Sequence, residues 1–332
     1  MAAVHQLPLD ANTLHGHFSR DLAPVLEVEP GDTVVLSTLE SGWSVDRVPP
    51  MSLTPPGVPA APPPRVRHPA WTPDAGHALT GPIRVRGAVP GTTLAVHLEE
   101  IVPGSWGCTF AGGWPSLPNE QYGLTAAGVV HAWELDVPAG RGRNQHGHEV
   151  ALRPFLGVVG LAPSAAGRHS TIPPRSCGGN LDCTELVAGS VLRLPVQVDG
   201  GLLSVGDGHG RQGDGEVGGT AIECPMDRVR LRLEVEDDVP VPGPWAQTPI
   251  GLVTLGTGAT LDEAAYRALA AVHDLMCARF GLTRADAVAL SSVVVDLRVT
   301  QIVNQVVGVH AVLPNDAVRL GSVAGASAGA GD

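Results

Sequence analysis

The sequence predicts a mainly β protein: a sandwich body with a small C-terminal α/β unit. Three observations carry that reading. Gly 42 and Pro 30 punctuate short apolar runs without forming a repeat, as expected of a turn-rich β chain. One strand-turn-strand element occurs twice. Helical periodicity appears only after Thr257.

From Val25 to Glu40, VLEVEPGDTVVLSTLE reads as strand, Pro30-Gly31 turn, strand. IRVRGAVPGTTLAVHLEE repeats the pattern, with Pro90-Gly91, Thr93 and Glu100 in the places of Pro30-Gly31, Thr33 and Glu40. Two copies are too few for a solenoid, so they predict a duplicated hairpin and pseudo-symmetry inside a sandwich. The Pro-rich stretch 49–73 is expected to be an ordered surface loop, since its prolines continue neither ladder nor helix. Strands are expected at Val191–Val198, Leu202–Val205 and Arg228–Val235. In the last, Val229, Leu231, Leu233 and Val235 alternate with Arg228, Arg230, Arg232 and Glu234, giving one wet face.

Thr260-Leu261-Asp262-Glu263 is a capping box, Ala265, Leu269, Val272 and Met276 keep helical spacing, and Gly281 is placed to end the helix. A second helix is expected from Thr283 to about Val293, and DLRVTQIVNQVVGVHAVL then returns to strand. The resulting division is a catalytic β body at 1–245, an α/β unit at 246–323 and a disordered tail at 324–332.

Composition narrows the function. Acidic residues outnumber basic ones, 33 against 21, and no basic patch interleaves with aromatics, so a nucleic-acid partner is disfavoured. No uninterrupted apolar run reaches membrane-spanning length and the N-terminus lacks a signal-peptide pattern, so a cytoplasmic protein without membrane contact is expected. Five cysteines, none spaced C-x-x-C, read as reduced structural residues. The chain contains no lysine. That excludes the P-loop and Schiff-base chemistry, and with them amidases built on Ser-Ser-Lys or Cys-Glu-Lys sets.

The segment LLSVGDGHGRQGDGEVGGTAIE, Leu202 to Glu223, runs a strand into a glycine-rich loop bearing Asp207, His209, Gln212, Asp214 and Glu216. Its G-x-G-x-x-G at Gly208 to Gly213 is not a dinucleotide fingerprint. No helix follows to receive a pyrophosphate, and the nearby carboxylates repel phosphate. Asp207, Asp214 and Glu216 are hard oxygen ligands suited to calcium, but the EF-hand spacing is missing. His209 among carboxylates points instead to a zinc-like catalytic site. Turn geometry alone also places Asp and Gly in such loops. In PPRSCGGNLDCTELVAGSVLRLPVQV, Gly178-Gly179-Asn180 reads as a turn presenting Asn180 and Asp182, residues that turns favour without any ligand. His77, before a Gly-Pro turn, reads alone as structural.

GHALTGPIRVRGAVPGTTLAV, PFLGVVGLAPS and the long segment from Ile172 to Glu223, containing GGN-x-D and then GDGH-x-x-QGDGE, occur in an order and near a spacing that resemble the acetamidase/formamidase family. The resemblance covers roughly His15 to Glu236. It implies a jelly-roll-like or related sandwich, and hydrolysis of short amides to carboxylate and ammonia with a divalent metal, often zinc. Calcium stays open as a structural ion, and a homo-oligomer is expected. On this reading Asp182, Asp207 and His209 are the preferred metal ligands, with His77 next, and Glu216 is the general base. Asn180, or the backbone N–H groups of Gly178 and Gly179, would stabilise an oxyanion. Gln212 joins the substrate-binding residues. Arg211 stands where the family commonly has a small residue, and offers a cation to a carboxylate-bearing substrate. A lactam or ureido hydrolase on the same fold, and a non-catalytic metal-containing sandwich, stay open beside the amidase.

Overall fold

The computed structural model describes residues 2–51 and 65–318. Most of the Pro-rich stretch expected to form a surface loop, and the tail expected to be disordered, lie outside those residues.

The described residues are mainly β and form three sheets. The largest has nine strands, in the order Val4–Gln6, Thr33–Thr38, Met226–Glu236, Thr93–Pro103, Ser190–Pro195, Trp245–Gln247, Gly251–Gly258, Val306–Pro314 and Asp296–Asn304. A second sheet joins Gly178–Asn180, Phe155–Gly160, Leu203–His209, Leu79–Val85 and Leu14–His15, with Leu26–Val28 pairing alongside Leu79–Val85. The third is a four-stranded meander from Trp106 to Ala151. The main core lies where the inner faces meet, and includes Val34, Leu94 and Leu231 from the first sheet with Ile83, Leu156 and Val205 from the second. Such alternation of inward apolar side chains is what a sandwich requires. The strand at Met226–Glu236 shows it as expected: Val229, Leu231 and Leu233 are buried, and Arg228, Arg230 and Arg232 face outward onto Glu99 and Glu100.

The duplicated element is real, but it is not a hairpin. In each copy the Pro-Gly turn carries the chain from the second sheet to the first. Leu26–Val28 runs parallel to Leu79–Val85 in one sheet, while Thr33–Thr38 and Thr93–Pro103 flank Met226–Glu236 in the other. Pairing across the copies replaces pairing within each, because each strand must bury its apolar face against the opposite sheet.

The C-terminal unit continues the nine-stranded sheet through Trp245–Gln247, which pairs with Ser190–Pro195. It builds a separate small core under helix Leu261–Phe280, from Ala264, Ala268, Val272 and Met276 against Val309, Ala311 and Leu313. Thr260 caps that helix by accepting from Glu263 N, and Gly281 ends it at φ 66°. Helix Arg284–Val294 follows, capped by Thr283.

Candidate active site

Strand Leu203–His209 is longer than the sequence suggested and carries Asp207 and His209 itself. Two residues apart on a strand, they are of the spacing that shares a face. The GGN segment likewise forms a short strand, not a turn, and pairs antiparallel with Phe155–Gly160. Glycines are needed there because the backbones nearly touch: a Cβ on Gly160 would sit 2.4 Å from Gly179 N. Just beyond it, Asp182 N donates to Gly157 O at 3.2 Å.

These elements bring Asp182, Asp207 and His209 together, all buried, with one donor atom from each within 4.8 Å of the others. The floor beneath them is Gly157. A Cβ there would lie 2.4 Å from Asp207 Oδ2, 2.8 Å from Asp182 Oδ1 and 2.8 Å from His209 Cε1, so only glycine leaves room for the cluster. His209 Nε2 stands 3.5 Å from Asp207 Oδ1 and 3.3 Å from Glu223 Oε2. Two donors held about 2.1 Å from one ion at the tetrahedral angle lie about 3.4 Å apart, and the separation of His209 from Asp207 suits such an ion.

Sequence reasoning did not single out Glu223. It is buried, bridges to His209 through the backbone, and accepts from Ser41 Oγ at 3.1 Å and Ala221 N at 2.9 Å. Ser41 also reaches Glu40, whose buried carboxylate is paired with Arg65 at 3.0 Å. Gly42 makes that pair possible, since a Cβ there would meet Arg65 Nη1 at 1.8 Å.

Asn304 is the second residue the sequence reading missed. It comes from the C-terminal strand, and its Nδ2 donates to Asp182 Oδ2 at 2.5 Å. Gln301 holds it in place by accepting from Val303 N and Asn304 N. The same strand anchors the glycine-rich loop, because Gly215 N donates to Thr300 O and Ile302 N to Gly215 O. The loop thereby brings Glu216 to the cluster, buried and lining the same cavity as Asp207 and Glu223.

Two features mark this region as built for chemistry. Eight buried side-chain polar atoms lack a hydrogen-bond partner among the described residues. Five of them are here: Asn180 Oδ1, Asp182 Oδ1, His209 Nδ1, Gln212 Oε1 and Glu216 Oε2. Buried polar atoms are ordinarily satisfied by protein or ordered water, so a cluster of atoms without a protein partner fits a site that receives water or a polar ligand. In addition, Asp182, Asp207 and Glu216 adopt φ values of 47°, 57° and 46°, a region unfavourable to side-chain-bearing residues and tolerated where function requires it.

Electrostatics point the same way. Burial pushes the Asp182 carboxyl up to about 8, with the Asp207 and Glu223 charges adding to the rise and His209 opposing it. Glu216 and Glu223 are also raised, burial being the main cause. For His209, burial favours the neutral ring, but Glu223 and Asp207 outweigh it and hold the imidazolium. Asp207 is lowered despite its burial, because the charges of His209 and His77 face it. Four carboxylates around one imidazole are mutually repulsive in a low dielectric. A divalent cation offsets that repulsion, and the donor set, spacing and unsatisfied atoms all fit one.

The remaining expected residues are dispersed. His77 lines the cavity, but its Nδ1 is bonded to Thr171 Oγ1 at 2.8 Å and it lies outside the three-residue cluster. Asn180 lines the cavity with its Oδ1 unpartnered, while its Nδ2 donates to Ile172 O. As oriented, it offers an acceptor where the sequence reading expected a donor. Gly178 N donates to Arg175 O, so that N–H is not free for an oxyanion, and Gly179 is held within the sheet. Gln212 sits behind the cluster, with Nε2 on Asp182 O at 3.0 Å. Arg211 does not reach the cavity: it is exposed and donates to Ala151 O. Asp214 is exposed as well, where it accepts from Thr184 Oγ1. All five cysteines are free, and burial raises the thiols of Cys177 to about 11 and Cys183 to about 12, which leaves them poor nucleophiles.

The fold and the site together define a mainly β protein with a buried candidate metal centre at the bottom of a cavity of about 410 Å³. The model of the acetamidase/formamidase family matches residues 165–319 of the chain. A Schizosaccharomyces pombe protein named as a formamidase is 28% identical, with 51% of this chain and 56% of that protein covered. An acetamidase of Mycolicibacterium smegmatis is 29% identical, with 42% and 49% covered. The chain thus spans about half the length of these curated relatives. The crystal structure of an acetamidase from Bacillus halodurans superposes with a TM-score of 0.80 at 26% identity, covering 93% of this chain and 97% of that one.

Proposed function

We propose that the protein hydrolyses the C–N bond of a small linear amide, giving carboxylate and ammonia, with a divalent metal of the zinc type held by Asp182, Asp207 and His209. The observation that carries the reading is the cradle over Gly157, where three buried donors converge and two of them, Asp182 and His209, carry a buried atom with no hydrogen-bond partner among the described residues. The match to the acetamidase/formamidase family model supports the same reaction class.

The chemistry such a cation supplies when bound is polarisation of the amide carbonyl and acidification of water. The rest falls to the chain. Glu216, buried at the cavity wall with Oε2 unpartnered, takes the proton from the attacking water and returns it to the leaving nitrogen, which departs as ammonia. Asn180 Oδ1 accepts from the substrate's amide N–H and orients the carbonyl toward the cluster. Asn304 and Gln212 hold Asp182 from its side-chain and backbone sides, a support that keeps ligand geometry fixed. Glu223 holds His209 in register.

Two variants separate base from ligand. Glu216→Gln keeps shape and is expected to retain most of the metal while losing about 10²- to 10⁴-fold in turnover. His209→Ala is expected to lose metal and activity together. A metal-free Glu216→Gln beside a metal-loaded His209→Ala would reverse the roles.

A further inference from the structure

The cavity is larger than its proposed reaction needs. An amide no bigger than acetamide would leave most of about 410 Å³ to water. The lining is also polarised by charge. Asp207, Glu216 and Glu223 make the floor acidic, whereas the rim carries Arg67.

Arg67 is held in place and electrostatically unspent. Its segment bridges to Ser44, with Val45 N donating to Val66 O and His68 N to Trp43 O. The guanidinium lies 4.2 Å over the Trp71 ring, and Nε reaches Gly42 O at 3.3 Å. Among the described residues no carboxylate pairs with it, in contrast to Arg65 in the same wall, which is bound to Glu40. A stacked guanidinium with its two terminal nitrogens open is suited to a planar anion. The sequence suggested this role for Arg211, which the fold turns away from the cavity.

Resting on the amide-hydrolase reading, we propose that the preferred substrates are amides whose acyl chain ends in a carboxylate, with Arg67 binding that carboxylate. The charge pattern then fixes the orientation. Arg67 at the rim attracts the carboxylate, and a substrate anchored there presents its neutral amide end to Asp182, Asp207 and His209. This specificity lives in KM, because Arg67 touches the end of the substrate that does not react.

The test uses the metal-replete enzyme on the half-amides of succinic, glutaric and adipic acids, each paired with the neutral primary amide of matching length. At least one half-amide is expected to exceed its neutral partner about tenfold or more in kcat/KM, and the advantage should shrink at high ionic strength, since Arg67 is exposed. Arg67→Gln should remove the advantage through KM, leaving kcat within about twofold and the neutral amides unaffected. Arg67→Lys should restore only part. Equal kcat/KM for every charged and neutral pair, or an advantage that survives Arg67→Gln, would overturn the proposal. Calorimetric binding of the half-amides to wild type and Arg67→Gln keeps the two claims separate. If no amide is hydrolysed, the hydrolase reading fails, and weaker binding to Arg67→Gln still upholds the carboxylate site, while equal binding rejects it.

Discussion

Gly157 lies directly beneath Asp207: a Cβ on the glycine would come within 2.4 Å of the carboxylate oxygen Oδ2. The same atom would press on Asp182 and His209, so the ligand cluster occupies space that a side chain would otherwise fill. Gly157→Ala is therefore expected to fold, since the site is a strand position in the second sheet, yet to lose most of its metal and at least about 10²-fold in ammonia release. Metal content, turnover and the melting curve measured on one preparation check this. A metal-loaded, fully active Gly157→Ala would remove the cradle from the account.

Asn304→Ala tests whether the C-terminal unit completes the site. Its amide is the hydrogen-bond donor to Asp182 Oδ2, across 122 positions of sequence. Loss of such a supporting contact typically weakens metal binding by about 10- to 100-fold. Competition with a chelator of known affinity measures the change. Unaltered affinity would mean that Asp182 needs no support from that strand.

His15 provides a pH prediction away from the metal ligands. Burial lowers it to about 4, while Nδ1 is bonded to His17 O and Nε2 to Ser204 Oγ. The unfolded chain takes up the proton near 6.5 and the folded chain only near 4. Stability contributed by His15 is thus present above 6.5 and lost as pH falls toward 4, by up to about 3 kcal/mol. Thermal unfolding at pH 7 and pH 4.5 should show this loss, and His15→Gln should make it smaller. An unchanged difference between the two pH values in the variant would contradict the assignment.

Much of this was legible in the sequence, and the exceptions have physical causes. Asp182, Asp207, His209 and Glu216 were visible because they crowd into two short glycine-bearing segments. The helix boundaries were visible because Thr260, Thr283 and Gly281 act locally. Gly157 was not, since a glycine in the run FLGVVG is indistinguishable from any strand glycine until the partners above it are known. Glu40 and Glu100 occupy equivalent places in the duplicated element, yet Glu40 is fully buried against Arg65 while Glu100 pairs with Arg228 on the surface. Position in the repeat could not reveal which had entered the site. Asn304 reaches Asp182 across 122 residues of chain, Arg67 reaches Gly42 across 25, and Glu223 meets His209 only once the glycine-rich loop between them has folded back, none of which the local pattern signals.

The central claim is that the cluster over Gly157 holds the metal on which amide hydrolysis depends. The most direct measurement is elemental analysis and ammonia release on the same samples of wild-type protein, first stripped by exhaustive chelation and then reloaded with zinc. The account predicts that the stripped protein is inactive, that turnover returns in proportion to metal bound, and that it saturates near one ion per chain. Full turnover in protein shown to contain no metal would contradict it.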